Sequence, residues 1–117
     1  MNWRIIFYED GPKQPVKEYL DGLQPKATAK ILRNMLLLSE FGLELGFPYV
    51  SNIERNLWEL RIVAFGDTCR MLFSLLPGRT FLILHGFQKK TDKLPDSERD
   101  IAPKRLARYL EQNRKEN

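Results

Sequence analysis

Three β-rich runs, Leu57–Val63, Thr68–Leu76 and Thr80–Phe87, follow one another so closely that they limit the fold more than any other feature of the chain. The separators are Ala64-Phe65-Gly66-Asp67 and Pro77-Gly78, and both have turn chemistry. Parallel strands need long crossovers, so connections this short imply consecutive antiparallel hairpins. Alternation along each strand then puts Trp58, Leu60 and Ile62, with Cys69, Met71, Phe73 and Leu75, on one face. That face is apolar and must be covered. The cover lies upstream. Trp3–Tyr8 reads as a strand and is broken by Asp10-Gly11-Pro12. A short helix is predicted from Pro15 to about Asp21, stopped by Gly22. A stronger one begins at Pro25, carries Ala27, Ile31, Met35 and Leu38 at helical spacing, and ends at Gly42. Residues 43–56 contain Gly and Pro and show no clear period. A last helix is predicted from Asp96 to about Asn113, with Asp96 or Ser97 as cap and Ile101, Leu106 and Leu110 as apolar points. Pro103 inside it marks either a kink or the true start. The order β-α-α-β-β-β-α predicts an α+β domain: an antiparallel sheet with an N-terminal strand, a helix hairpin packed on one face, and a C-terminal helix.

A chain of 117 residues has room for one domain, 1–117. With 43% hydrophobic and 29% charged residues it reads as an ordinary globular chain. No apolar run approaches the roughly 18 residues of a membrane span, and the N-terminus lacks the pattern of a signal peptide. The expected location is cytoplasmic, with no membrane contact. Cys69 is the single cysteine, so no internal disulfide forms, and neither a metal cage nor a cofactor is expected. The formal charge is +4, and it is unevenly placed. Residues 1–52 carry six basic and six acidic side chains; residues 53–117 carry thirteen and nine. Such an excess attracts a polyanion, although charge runs are commonly only a solvated face.

The other face of the hairpins carries the chemistry. A four-residue turn at 64–67 sets Val63 opposite Thr68 and therefore Arg61 opposite Arg70. A two-residue turn at Pro77-Gly78 sets His85 opposite Arg70; a four-residue loop sets Phe87 there. Either way His85, Phe87 and Lys89 share the Arg70 face, provided no bulge intervenes. Two facing arginines repel. Glu59 compensates in part, and a phosphate would compensate more, because the guanidinium fork suits its oxygens. Beside them stand a histidine able to exchange protons near neutral pH, an aromatic ring able to stack on a base, and Lys89, Lys90 and Lys93. Cleavage of an RNA phosphodiester needs this kind of set: charge stabilisation from Arg or Lys, and proton transfer by His85, Glu59 or a lysine. The same residues also read as the polar side of a sheet with one wet face. On that reading His85 is structural, Phe87 covers the core edge and the lysines are a solvated loop.

Leu57-Trp58-Glu59-Leu60-Arg61, Cys69-Arg70-Met71-Leu72-Phe73 and Leu84-His85-Gly86-Phe87-Gln88-Lys89-Lys90-Thr91 closely resemble the phage-derived HigB-like branch of the RelE/ParE toxin superfamily. Glu98, Ala102, Arg105 and Tyr109 fit the same branch, and the likeness covers nearly the whole chain. The resemblance implies a RelE-like fold and the toxin role in a type II toxin–antitoxin system. It also implies ribosome-dependent, metal-independent cleavage of mRNA, with growth arrest. The implied partners are a HigA-like helix-turn-helix antitoxin, mRNA and the ribosome, with operator DNA reached only through the antitoxin. The expected catalytic residues are Arg61, Arg70, His85, Lys89 and Lys90; the expected RNA-binding residues are Phe87, Lys93 and Glu59. The superfamily also holds gyrase-directed toxins on the same scaffold, and an inactive member that only binds its antitoxin is a further alternative. Many RelE-type enzymes finish with a strand bearing a tyrosine or histidine. This chain finishes with a helix, so the resemblance does not identify the general base.

Overall fold

The computed structural model describes residues 2–64, 67–89 and 93–115. Its elements are β1 (Arg4–Phe7), α1 (Pro15–Asp21), α2 (Pro25–Phe41), a 3-10 turn (Gly42–Leu45), β2 (Val50–Glu54), β3 (Leu57–Ala64), β4 (Asp67–Leu76), β5 (Thr80–Lys89) and α3 (Asp96–Lys115). The strands form one five-stranded sheet in the order β1-β5-β4-β3-β2. The α+β class and the helix hairpin are as expected. No helix among the described residues is long and apolar enough to cross a membrane.

The hairpin face holds the larger core. Val16 and Leu20 of α1 and Ile31, Met35 and Leu38 of α2 pack on Leu60, Ile62, Cys69, Met71, Phe73, Phe81 and Ile83. Each of the larger apolar side chains among them stabilises the fold by roughly 1.5–3 kcal/mol when fully buried. Trp3 closes one end. Its indole stacks on Phe81 at 4.4 Å, lies beneath the Arg79 guanidinium at 4.7 Å, and also abuts Gly42, the residue that ends α2. Gly42 has φ +62, and a Cβ there would fall 2.6 Å from the indole nitrogen. Only glycine meets both demands: the left-handed backbone and the missing side chain.

The sequence expectations fail in several places, each for a physical reason. The sheet is mixed, because β1 lies parallel to β5, Arg4 opposite Thr80 through Phe7 opposite Ile83. Parallel partners are far apart in the chain, so no turn signal announces them. β2 adds a strand to the expected order. It pairs antiparallel with β3 but is interrupted by a bulge between Asn52 and Glu54, which breaks the alternation that betrays a strand. The face taken by the last helix, left open by the sequence, is the far one. α3 lies against the side opposite the hairpin, where Ala102, fully buried, packs with Leu106 and Tyr109 over Leu57, Leu72, Leu82 and Leu84. Pro103 sits inside α3, and Leu110, expected to be an apolar contact, is half exposed.

The β4–β5 connection fixes which way the site residues point. Leu76 pairs with Thr80, so the loop has three residues, with Gly78 at φ +81 and Arg79 at φ +53. An odd loop alone would send His85 to the hairpin face. A bulge reverses this: Phe73 pairs with Ile83 and Leu72 with His85, leaving Leu84 as the extra residue. Leu84 and His85 therefore both meet α3, while Gly86 returns to the hairpin side. A Cβ at Gly86 would lie 2.8 Å from the Tyr19 ring and 2.9 Å from Met71 Sδ. α1 thus rests directly on the backbone of β5.

Candidate functional site

Three neighbouring strands bring one row of side chains together on the α3 face. Arg61 of β3 is opposite Arg70 of β4, and Arg70 is opposite Phe87 of β5. Both pairings were legible in the sequence, the second as the four-residue-loop option, although its cause is a three-residue loop plus a bulge. Lys89 lies opposite Thr68.

The repulsion between the two arginines is answered by Glu59. Arg70 Nη1 donates to Glu59 Oε1, and the two side chains are only 10% and 5% exposed. A charge pair this deep is far from neutral in its consequences, because removing either partner leaves the other charge buried and unpaired. The pair is also incompletely satisfied. Glu59 Oε2, Arg70 Nε and Arg61 Nε are all buried with no hydrogen-bond partner among the described residues. Each such atom costs about 1–3 kcal/mol, so three at one place mark a concentration of unused hydrogen-bond capacity. Arg61 differs from Arg70 in its access. Its backbone N–H donates to Tyr49 O at 2.8 Å, and its side chain is partly exposed. With Lys30, Asn34 and Tyr49 it lines a groove of about 160 Å³ at the β3 side of the sheet.

A second cluster adjoins the row through Phe87, whose ring stacks on His85 at 5.5 Å. His85 Nε2 is 2.5 Å from Glu98 Oε2, and Nδ1 is 3.4 Å from Arg105 Nη1. Arginine only donates. Nδ1 is therefore the acceptor, and Nε2 carries the proton given to Glu98. Arg105 Nη1 also donates to Leu84 O at 2.8 Å. Burial lowers the Arg105 pKa from its usual value, while Tyr8, Asp10 and Glu98 pull the other way. Both ring nitrogens of His85 are thus engaged, one by Glu98 and one by Arg105.

The expected site residues therefore divide. Arg61, Arg70, Phe87 and His85 are brought together, with Glu59 beside them and Lys89 along the same strand. Lys93 is exposed, and Lys90 lies outside the described residues. The reading of these residues as the polar side of a sheet with one wet face is corrected. Glu59, Arg70, Phe87 and Lys89 are each no more than 9% exposed. α3 covers the centre of the face, and Phe87 belongs to the α3-side core with Leu94 and Leu106. Phe87 thus covers a core edge, and Glu59 neutralises Arg70 from within.

Sequence reasoning gave no role to Glu98 or Arg105, the two residues that hold His85. The signal was present. Glu98, Ala102, Arg105 and Tyr109 stand at helical spacing and so share one face of α3. Among the described residues, no three His, Cys, Asp or Glu side chains gather so as to hold a metal ion.

No curated protein matches the chain. A family model does, that of the phage-derived protein Gp49-like (DUF891), over residues 18–107. The match runs from α1 through most of α3 and includes every residue of the two clusters. The chain belongs to the phage-derived Gp49-like family.

Proposed function

We propose that this protein is the toxin of a toxin–antitoxin pair and that it cleaves mRNA on the ribosome. One observation carries the reading. The Glu59–Arg70 pair and the facing Arg61 hold three buried polar atoms without partners among the described residues, at a point where two arginines face each other across adjacent strands. A phosphate diester would satisfy the two donors among them, Arg61 Nε and Arg70 Nε, since its oxygens accept from both forks; Glu59 Oε2, an acceptor, suits a proton instead. Family membership and the HigB-like sequence pattern agree with it.

In this mechanism Arg61, the accessible member, meets the scissile phosphate first. The phosphate then competes with Glu59 for Arg70. The released carboxylate takes the proton of the 2′-hydroxyl, the 2′-oxygen attacks phosphorus, and both arginines stabilise the charge that develops. The departing 5′-oxygen receives its proton from a lysine of the β5 end. The partner that silences the toxin is a HigA-like antitoxin, which also supplies the contact with operator DNA, and the pair works in the cytoplasm.

Arg61→Ala is the informative variant. Arg70→Ala leaves Glu59 buried and unpaired, so loss of activity there reports on folding as much as on chemistry. On purified ribosomes, Arg61→Ala should cut mRNA about 10²–10³-fold more slowly, with an unchanged melting temperature. A variant as active as the parent contradicts the mechanism. The pairing of Arg70 with Glu59 and of His85 with Glu98 favours one second reading, a toxin that binds its target, such as gyrase, without chemistry. Growth arrest by the parent protein with cellular mRNA intact would select it.

A further inference from the structure

The cationic face of α2 has no part in the chemistry above. Lys26, Lys30 and Arg33 line a groove of about 530 Å³ along this helix, together with Asn34. Lys30 and Asn34 also line the smaller groove that holds Arg61 and Tyr49. The two grooves therefore adjoin at Lys30 and Asn34, and the second holds the accessible arginine of the candidate site. No acidic side chain lines either of them. Lys26, Lys30 and Arg33 are exposed, and no ion pair is formed by any of them among the described residues. Like charges at i and i+4, as at Lys26 and Lys30, weaken a helix, so the arrangement is not one that helix stability favours. Tyr49 is 52% exposed, which leaves a ring open to contact at the junction of the two grooves.

A solvated basic helix would account for the lysines alone. It does not account for a row of like charges that runs, without an acid, into an aromatic ring and an arginine with a buried, partnerless Nε. Cations that follow a backbone, joined to an aromatic side chain that takes a base, are the two elements of single-strand recognition. We infer that the α2 groove docks single-stranded RNA, with Lys26, Lys30 and Arg33 on its phosphates and Tyr49 stacked on a base. The strand is thereby led to Arg61. This inference rests on the nuclease reading for its biological sense, but its test does not depend on cleavage.

The test measures binding of a fluorescent 2′-O-methyl oligouridylate, which cannot be cut through its 2′-oxygen, as a function of salt. Each phosphate contact to a single strand contributes about 0.7 to the slope of log K against log salt. The triple variant K26A/K30A/R33A should reduce that slope by about 2 and weaken binding at least tenfold, with an unchanged circular dichroism spectrum. Tyr49→Ala should leave the slope unchanged and weaken binding by roughly fivefold or more, the loss of one stacked base. A triple variant that binds like the parent overturns the inference. So does a Tyr49→Ala variant with full affinity, which would reduce the groove to general attraction for polyanions. These outcomes are separate from the fate of the nuclease reading. Loss of cleavage on Arg61→Ala with an unaffected triple variant leaves the mechanism standing and the docking groove refuted. Growth arrest with intact mRNA refutes the mechanism whatever the isotherms give.

Discussion

The two faces of the sheet are built on different principles. On the hairpin side, α1 and α2 cover a surface of Leu60, Ile62, Cys69, Met71, Phe73, Phe81 and Ile83, and its cohesion is almost wholly apolar. On the α3 side, apolar packing around Ala102 gives way within a few residues to the Glu59–Arg70 and His85–Glu98 pairs. Hydrophobic burial is nondirectional and tolerant; a buried ion pair such as Glu59–Arg70 is neither. The difference teaches where this fold places risk. The hairpin face loses stability in proportion to what is removed, whereas the α3 face loses it abruptly when a charge is left alone.

Substitutions can break that contrast. The largest effects are expected from Phe73→Ala and Arg70→Ala. Phe73 is fully buried, and truncation should cost about 3–5 kcal/mol in urea unfolding. Arg70→Ala should cost about as much, roughly 3–5 kcal/mol, through the abandoned Glu59 carboxylate. The pair then separates the mechanisms. Adding Glu59→Leu to an Arg70→Met change should recover most of the loss, because a matched apolar replacement of a buried pair is often neutral or better. No partner substitution should rescue Phe73→Ala so fully. An Arg70→Ala cost below 1 kcal/mol would mean the α3 face is not the charged interior described here.

Gly86→Ala tests the contact between the layers. Its added methyl meets the Tyr19 ring and Met71 Sδ below 3.0 Å, and strain of about 1–3 kcal/mol is expected from such overpacking. The smallest effect belongs to Tyr19→Phe. The Tyr19 hydroxyl is buried and, among the described residues, meets nothing better than the weak Cys69 thiol, so its removal should be neutral or stabilising by up to about 1 kcal/mol. Burial raises the Tyr19 pKa above its ordinary value of 10.0. Below that pH both folded and unfolded chains keep the proton and stability is unaffected. Above it the unfolded chain loses its proton first, so stability falls as pH rises. Tyr19→Phe should blunt this alkaline decline, and melting temperatures measured across the alkaline range would reveal whether it does.

Legibility in the sequence follows the same division. The helix hairpin and the face it covers were readable because 3.6- and 2-residue periods agree with burial there. The Arg61–Arg70 pairing was readable because β3 and β4 are joined by one short turn, and Val63 does pair with Thr68. His85 fell on the expected face for a reason the sequence hides, an odd loop cancelled by a bulge at Leu84. The parallel β1–β5 contact and the bulged β2 are long-range or irregular and leave no local trace. Burial of Glu59 and Arg70 was misread because alternation tells which face a residue occupies but not whether another element lies over it. Glu98 and Arg105 show the reverse case, since their shared helix face was visible and only its target was not.

The central claim is that Arg61 and Arg70 form a phosphate site for RNA cleavage. Sequencing of mRNA 5′ ends shortly after induction, for the parent and for Arg61→Ala, tests it most directly. The account predicts new internal 5′ ends with the parent and their loss with Arg61→Ala at equal protein level. Arrested cells whose transcripts remain whole, or identical cleavage ends in the two strains, would contradict it.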